Sequence, residues 1–425
     1  MQQKYLVPPV GRQLITVPST AGLREKWVGA MLDKTGRAYA GALRLDFSPS
    51  CESDKALNAV ADTLARHPIL AAHFQIEGDI LVGYAPTESS LREVLREQMR
   101  TKHTGITNEA FLAHRARQSS EPGLRLASVS DDNGLHVWIG FWTYTCDGAS
   151  IDLLIEEIAN RYLGKSLKSS RSWEEYAQME VTQTVKQVLD SRTRVNVYPV
   201  PGPYGIDAVR ATPRGTVGHT QSVRFDSPIP RSMVLTCARA YRVTPFVLLF
   251  AAFQRAVSAV SGVKTVVTGV PFANRRHPDD HTVVGPLSNT VPITTHHELG
   301  EPLVAVLNQV QRAVIRAAER QNIETTALYP EGTSPRNVDY DLPFPQLLNA
   351  WNSQRDGTEI SLGKTEWMYL RLLPNGTCRA GFEITLDEHS EYISGRIDMD
   401  VEAYDGQVEQ VIEHMIKGLN SLNSN

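Results

Sequence analysis

Cysteine is scarce in this chain: four in 425 residues, at Cys51, Cys146, Cys237 and Cys378. They lie far apart and none forms a C-x-x-C pair, so no metal knuckle is expected and a reducing cytoplasm is the expected compartment. Long apolar runs are missing as well. The opening MQQKYLVPPVGRQL carries none, so neither a signal peptide nor an anchor is expected there. Nowhere does the chain reach the roughly 18–20 apolar residues that span a bilayer, and no membrane partner is expected. Charge of one sign is also lacking. Lys and Arg number 43 against 47 Asp and Glu, a net charge of −4. Nucleic acid and acidic membranes demand a clustered basic face, so neither is expected as a partner. There is no biased tract and no internal repeat, and the 41% hydrophobic and 21% charged content is that of a soluble globular protein.

The length suits two lobes better than one core, since single cores stop growing at about 250–300 residues. From Asp54 to His67 the residues Leu57, Val60, Ala61 and Leu64 recur at helical spacing. Pro68 ends that helix, and Ile69–Gln75 reads as a strand leading to another across the Gly78-Asp79 turn. Leu135–Thr143 alternates as a strand and stops at Asp147-Gly148. Beyond it Ile151, Leu154, Ile155, Ile158 and Tyr162 mark an amphipathic helix closed by Gly164. Ser172 and Glu175 form a capping box. Asn196–Gly218, with Pro199, Pro201, Pro203, Pro213 and four glycines, is the linker candidate. The expected division is therefore a lobe over 1–195, a linker over 196–218 and a second lobe over 219–425. In the second lobe Thr244-Pro245 starts a helix, threonine capping it and proline pre-setting its first turn. Val266–Gly269 reads as a buried strand, Leu303–Arg320 as a helix, Cys378–Thr385 and Tyr392–Met399 as a hairpin, and about Tyr404 to Leu419 as the last helix.

The strand–turn–helix FWTYTCDGASIDLLI at Phe141–Ile155 resembles the junction at which condensation domains of nonribosomal peptide synthetases carry H-H-x-x-x-D-G. Aligned on Asp147-Gly148, Trp142 and Thr143 stand where the two histidines belong. Further stretches resemble the family in its own order: LARHPILAAHF (Leu64–Phe74), SWEEYAQME (Ser172–Glu180), YRVTPFVLLFAAF (Tyr241–Phe253), TGVPFANR (Thr268–Arg275), VGPLSNTVPI (Val284–Ile293), SPRNVDYDLPF (Ser334–Phe344) and the closing hairpin Phe382–Asp405. The resemblance implies an α/β fold of two chloramphenicol-acetyltransferase-like sandwich lobes in a V around a central tunnel. Acyl donor and acceptor would enter it from opposite faces. The chain itself would bind no cofactor and no metal, its substrates arriving on the phosphopantetheine arm of an acyl or peptidyl carrier protein.

In such a site the family's second histidine positions or deprotonates the acceptor amine. Thr143 cannot serve as that base, because its hydroxyl does not ionise near neutral pH as imidazole does. It is either a hydrogen-bond donor or a plain strand residue. Asp147 is expected as a helix cap and, from the resemblance, as the ion-pair partner of Arg275, joining the two lobes. Gly148 opens a helix whose first N–H groups face a developing oxyanion. Cys146, at a helix N-terminus, is a candidate nucleophile with a depressed pKa. Trp142, Tyr144, Ser150 and Asn289 are expected around the tunnel, Trp142 and Asn289 as much for packing as for substrate. His277 and His281, just after Arg275, are candidates for a substitute base.

Two functions remain open. One is a condensation-like enzyme that transfers an acyl group without a histidine base, by proximity and oxyanion stabilisation, to a small amine or alcohol or within a cyclising substrate. A start at Met1 and the polar end GLNSLNSN are what a free-standing protein of this kind would show. The other is an inactive condensation-like module that binds a carrier protein or recruits a tailoring enzyme, suggested by the loss of both histidines.

Overall fold

A computed structural model of the chain describes residues 13–33, 36–100, 107–108, 111–112, 123–180, 220–225, 228–323, 344, 346–351, 357, 359–377, 379–400 and 407–423. The first stretch of chain forms β1 (Leu14–Val17), α1 (Ala21–Leu32), β2 (Ala40–Phe47), α2 (Ser53–Ala65), β3 (His73–Glu77), β4 (Ile80–Pro86), α3 (Glu88–Arg100), β5 (Arg125–Asp131), β6 (Gly134–Trp142) and α4 (Gly148–Tyr162). After these come β7 (Thr220–Arg224), β8 (Ile229–Pro230), α5 (Arg231–Ala240), α6 (Pro245–Ser261), β9 (Thr265–Phe272), β10 (Asn289–His296) and α7 (Leu303–Glu319). The chain then runs through β11 (Gln346–Trp351), β12 (Glu359–Ser361), β13 (Trp367–Leu373), β14 (Phe382–Glu388), β15 (Tyr392–Asp400) and α8 (Gln407–Asn423). The linker expected over 196–218 lies outside the described residues, as do 334–343, Cys378 and the start of the last helix at Tyr404.

The elements fall into two compact units that are not contiguous in sequence. The first holds 1–192 together with Arg275–Leu287 and Arg355–Asn375; the second holds 193–274, 288–354 and 376–425. The expected unbroken lobes thus differ from the observed grouping at two segments, and hydrogen bonding is the reason. In the five-stranded antiparallel sheet of unit 1, ordered β12-β13-β2-β6-β5, the late strand β13 pairs with the early strand β2 along most of its length.

Across β2 and β6 the register sets Leu43 opposite Ile139 and Leu45 opposite Val137, so one face of the sheet is continuously apolar. Leu64 of α2 and Ile151, Leu154 and Ile155 of α4 meet Leu43, Ile139 and Phe141 around one apolar cavity beneath that face. Each such side chain contributes about 1.5–3 kcal/mol on burial. The helical spacing read from the sequence is what brings these residues to one stripe. Pro68–Ala71, expected to begin a strand, is a 3-10 turn, and β3 starts only at His73. Ile69, Leu70 and Ala71 are all buried, and a short buried run does not reveal by its pattern whether it is turn or strand. Gly78 makes the β3–β4 turn with φ +61°, where side chains with a Cβ are strained.

In unit 2 the sheet runs β10-β9-β11-β14-β15-β7, with β8 pairing to β15. Strand β11 is parallel to both its neighbours while the other pairs are antiparallel. Phe250 and Phe253 of α6, Val310 of α7 and Met415 of α8 share a core with Ile384 and Ile397 of the sheet. No single helix among the described residues is long and apolar enough to cross a membrane; α5 and α6 together have the composition, but they are bent by 96° and contribute to this core. Helix α6 begins as its sequence dictates: Thr244 Oγ1 accepts from Val247 N at 3.2 Å, Pro245 takes the first position, and Gly262 ends it with φ +71°. Thr244→Ala should therefore cost about 0.5–2 kcal/mol in chemical denaturation, with Thr244→Ser close to neutral.

Candidate functional site

Strand β6 ends at Trp142, and the next residues are turned tightly about its carbonyl. That oxygen accepts from Thr145 N at 2.9 Å, Cys146 N at 3.1 Å and Thr145 Oγ1 at 2.9 Å. The turn delivers Asp147 to the N-cap of α4, where its Oδ1 accepts from Ser150 N at 2.9 Å. The N–H groups of Gly148 and Ala149 open the same helix and have no acceptor within it, as the first turn of any helix dictates. The helix dipole adds to their pull on negative charge.

The carboxylate of Asp147 is committed twice. Besides capping α4 it takes a bidentate pair from Arg275, Nη1 to Oδ2 at 2.9 Å and Nη2 to Oδ1 at 3.0 Å, with both side chains 3% exposed. The same guanidinium donates to Ser150 Oγ at 3.1 Å and Val283 O at 3.2 Å. Burial would raise the carboxyl pKa, but the charges of Arg275 and Lys26 and the hydrogen bonds from Arg275 and Ser150 outweigh it and hold it below the usual value. The pair forms, yet it does not join two lobes: Arg275–Leu287 belongs to unit 1, and the ion pair pins that segment within it.

Other anchors hold the same segment. Arg171 reaches Asp280 Oδ1 at 3.0 Å and Asp279 Oδ2 at 2.8 Å, and its backbone N–H donates to Thr282 Oγ1 at 3.1 Å. Lys26 Nζ donates to Pro286 O at 3.0 Å. Gly285 packs against Trp173, so close that an added Cβ would sit 2.3 Å from the ring. Ser150, expected at a tunnel wall, is fully buried instead. Its hydroxyl accepts from Gly285 N at 2.9 Å and lies 2.7 Å from Asp147 Oδ1 and 2.8 Å from Gly285 O, either of which can take its proton. It fastens the segment and is not presented to a substrate. Arg171, Lys26 and Trp173 were not singled out by the sequence, which shows no local sign of contacts so distant along the chain.

The other expected residues separate by environment. Thr143 N donates to Tyr39 O at 2.8 Å, while its buried Oγ1 has no hydrogen-bond partner among the described residues. An orphaned hydroxyl costs about 1–3 kcal/mol, so it calls for a reason. Trp142 stacks on Tyr144 with centroids 5.6 Å apart, and Phe74 meets Tyr144 edge-on at 6.1 Å. Both rings of the stack are buried. Cys146 contradicts its expected activation. It is 1% exposed and lines the apolar cavity of unit 1, so burial, reinforced by the Asp147 charge, pushes its thiol well above the ordinary value. Desolvation here overwhelms the helix terminus, and the thiol stays protonated. His277 and His281 are exposed. In unit 2, Asn289 gives its amide to Gln321 O at 2.9 Å and Ile323 O at 2.7 Å, tying the start of β10 to the residues that follow α7.

The family model described as the Condensation domain matches residues 23–422 of this chain. Bacitracin synthase 1 of Bacillus licheniformis is 23% identical over 283 residues, covering 64% of this chain but 5% of that protein. The cyclosporin synthetase simA of Tolypocladium inflatum is 23% identical over 326 residues, 73% of this chain and 2% of that protein. The chain thus spans a small part of such relatives. Among solved structures, the condensation domain of the Monacolin K polyketide synthase MokA aligns with TM-score 0.73 at 12% identity, over 97% of this chain and 98% of that one.

Arg275→Ala leaves the Asp147 carboxylate buried without its cation and should cost about 3–5 kcal/mol, read as a lowered Tm. An unchanged Tm would refute the anchoring role. The pH dependence has a fixed sign. A carboxyl whose folded pKa is lowered adds stability above its unfolded value near about 3.9 and loses it as pH falls through the folded value. Acid titration of stability should therefore show a component below about pH 4 that is absent in Asp147→Asn.

Proposed function

Because the chain belongs to the condensation-domain family, we propose that it transfers an acyl group from a carrier-protein thioester to a small amine or alcohol in nonribosomal-peptide-type secondary metabolism. The observation that carries this reading is the state of the β6–α4 junction: a buried Thr143 hydroxyl without a hydrogen-bond partner among the described residues, close in the chain to the opening amides of α4. The acceptor nitrogen or oxygen attacks the thioester carbon and the carbonyl electrons move onto oxygen. Hydrogen bonds from the Thr143 hydroxyl and the first N–H groups of α4 stabilise that oxyanion, which collapses to expel the phosphopantetheine thiolate. The acceptor's proton leaves to solvent or to that thiolate. Asp147 is a poor base here, since Arg275 holds its carboxyl ionised at low pH and both its oxygens are engaged. Proximity and donor placement supply the acceleration. The Trp142–Tyr144 stack gives the turn a rigid backing. We place the protein in the cytoplasm, where carrier proteins and their thioesters reside.

At the same junction the Asp147 carboxyl is held ionised and the Cys146 thiol protonated, which favours a second reading: a module that binds a carrier protein or recruits a tailoring enzyme without turnover. Product formation by purified protein, with a carrier-bound acyl donor and an amine, separates the two. Under the enzyme reading Thr143→Val, which keeps the shape and drops the hydroxyl, lowers kcat by about 10²-fold, while Thr143→Ser retains most of it. Gly148→Val crowds the same donors and costs at least as much. No product above the protein-free rate, together with carrier binding that survives both changes, would establish the binding module instead.

A further inference from the structure

Unit 2 carries a cavity of about 310 Å³ that the acyl-transfer reading does not use. It opens between the last turns of α6, the loop joining β10 to α7 and the last turns of α8. Arg255, His297, Glu298, Leu299, His414 and Lys417 line it. Arg255 is aimed by its own backbone contact: Nε donates to Glu301 O, which leaves Nη1 and Nη2 without a partner among the described residues. Lys417 is exposed and likewise unpaired there. The neighbouring acids are already engaged. Glu298 Oε2 meets Lys264 Nζ at 2.6 Å, and Glu301 Oε1 accepts from Glu298 N at 3.0 Å. Two cations therefore face a concave surface on which the Glu301 carboxylate, bonded to a neutral amide, offsets one of them, so the lining keeps a net positive charge.

Two imidazoles complete the lining. His414 donates its Nδ1–H to Gln410 O at 2.8 Å, so Nε2 is the ring nitrogen left for a ligand. His297 is 2% exposed, with Nε2 2.7 Å from Thr295 Oγ1. Its Nδ1 makes no hydrogen bond, although Glu301 Oε1 lies 3.3 Å away off the bonding line. Burial, with the charges of His296 and Arg255, lowers its pKa to about 4 and keeps the ring neutral at neutral pH.

We propose that this cavity binds a phosphate group. An arginine fork matches two phosphate oxygens at once, and the lysine supplies a second charge. A carboxylate brings one charge and only accepts hydrogen bonds. A phosphomonoester carries about −1.5 to −2 at pH 7 and, when singly protonated, can also donate to a neutral imidazole nitrogen. Leu299, 58% exposed at the rim, offers apolar surface to the organic part of an ester.

The test is calorimetric titration of the whole protein, at constant ionic strength, with inorganic phosphate, glycerol 3-phosphate and acetate. Saturable binding of either phosphate, with acetate at least about tenfold weaker, is expected. Lys417→Gln, on an exposed side chain, should weaken phosphate binding by about tenfold or more, since a charge-assisted hydrogen bond is lost. Arg255→Gln should abolish it; if that variant fails to fold, Lys417→Gln with an unchanged Tm still decides. Tighter binding of glycerol 3-phosphate identifies an organic phosphate as the ligand class, and equal binding identifies free phosphate. No saturable binding of either, acetate binding as tightly, or a folded Lys417→Gln variant with unaltered affinity overturns the proposal.

Discussion

The buried pair of Asp147 and Arg275 is the constraint around which unit 1 is arranged. Taking two charges out of water costs several kcal/mol per ion, and attraction repays it only where the geometry is good and the remaining donors are used. The geometry is good here: the contact is bidentate, and Nη2 of the guanidinium also serves Ser150 and Val283. A buried ion pair is weak evidence of net stability, since apolar side chains of the same volume often do as well. Its clearer effect is registration. Apolar packing tolerates sliding, whereas these donors and acceptors are matched in one placement of Arg275–Leu287 against α4.

That commitment also shapes what chemistry the junction can perform. A carboxylate held ionised by a permanent cation accepts protons poorly, and its charge drives the adjacent thiol of Cys146 further from ionisation. Proton transfer from either residue is thereby suppressed. What remains is neutral and directional: one hydroxyl and the first amides of a helix. Such groups act on developing negative charge, a term commonly larger in enzymes than general base catalysis.

Much of this was legible in the sequence, and the reason is locality. The strand–turn–helix around Asp147-Gly148, the Thr244 cap and the Ser172–Glu175 box are decided by residues a few positions apart, and the last appears with Ser172 N to Glu175 Oε2 at 2.9 Å and Glu175 N to Ser172 Oγ at 3.1 Å. Arg275 came from resemblance. The misreadings share the opposite property. Cys146 looked activated because a helix terminus is visible locally while the apolar cavity around it is assembled from β2, β6, α2 and α4. Ser150 looked like a wall residue because its partner Gly285 is far along the chain. Arg171 gave no sign of its role, since Asp279 and Asp280 lie in a segment whose membership in unit 1 no pattern announces.

The pairing of β13 with β2 imposes an order on synthesis. Unit 1 contains most of the chain's beginning, yet its sheet keeps an unpaired edge at β2 until Trp367–Leu373 has been made. An emerging chain thus waits with open hydrogen-bonding groups that another strand can capture. The entropy of closing so long a loop rises only slowly with length, but non-local pairing is slow to form. The N-terminal half is therefore not a separable folding piece. A nascent chain stalled before β13 holds an incomplete sheet, and unit 1 is finished only after Trp367–Leu373 has left the ribosome.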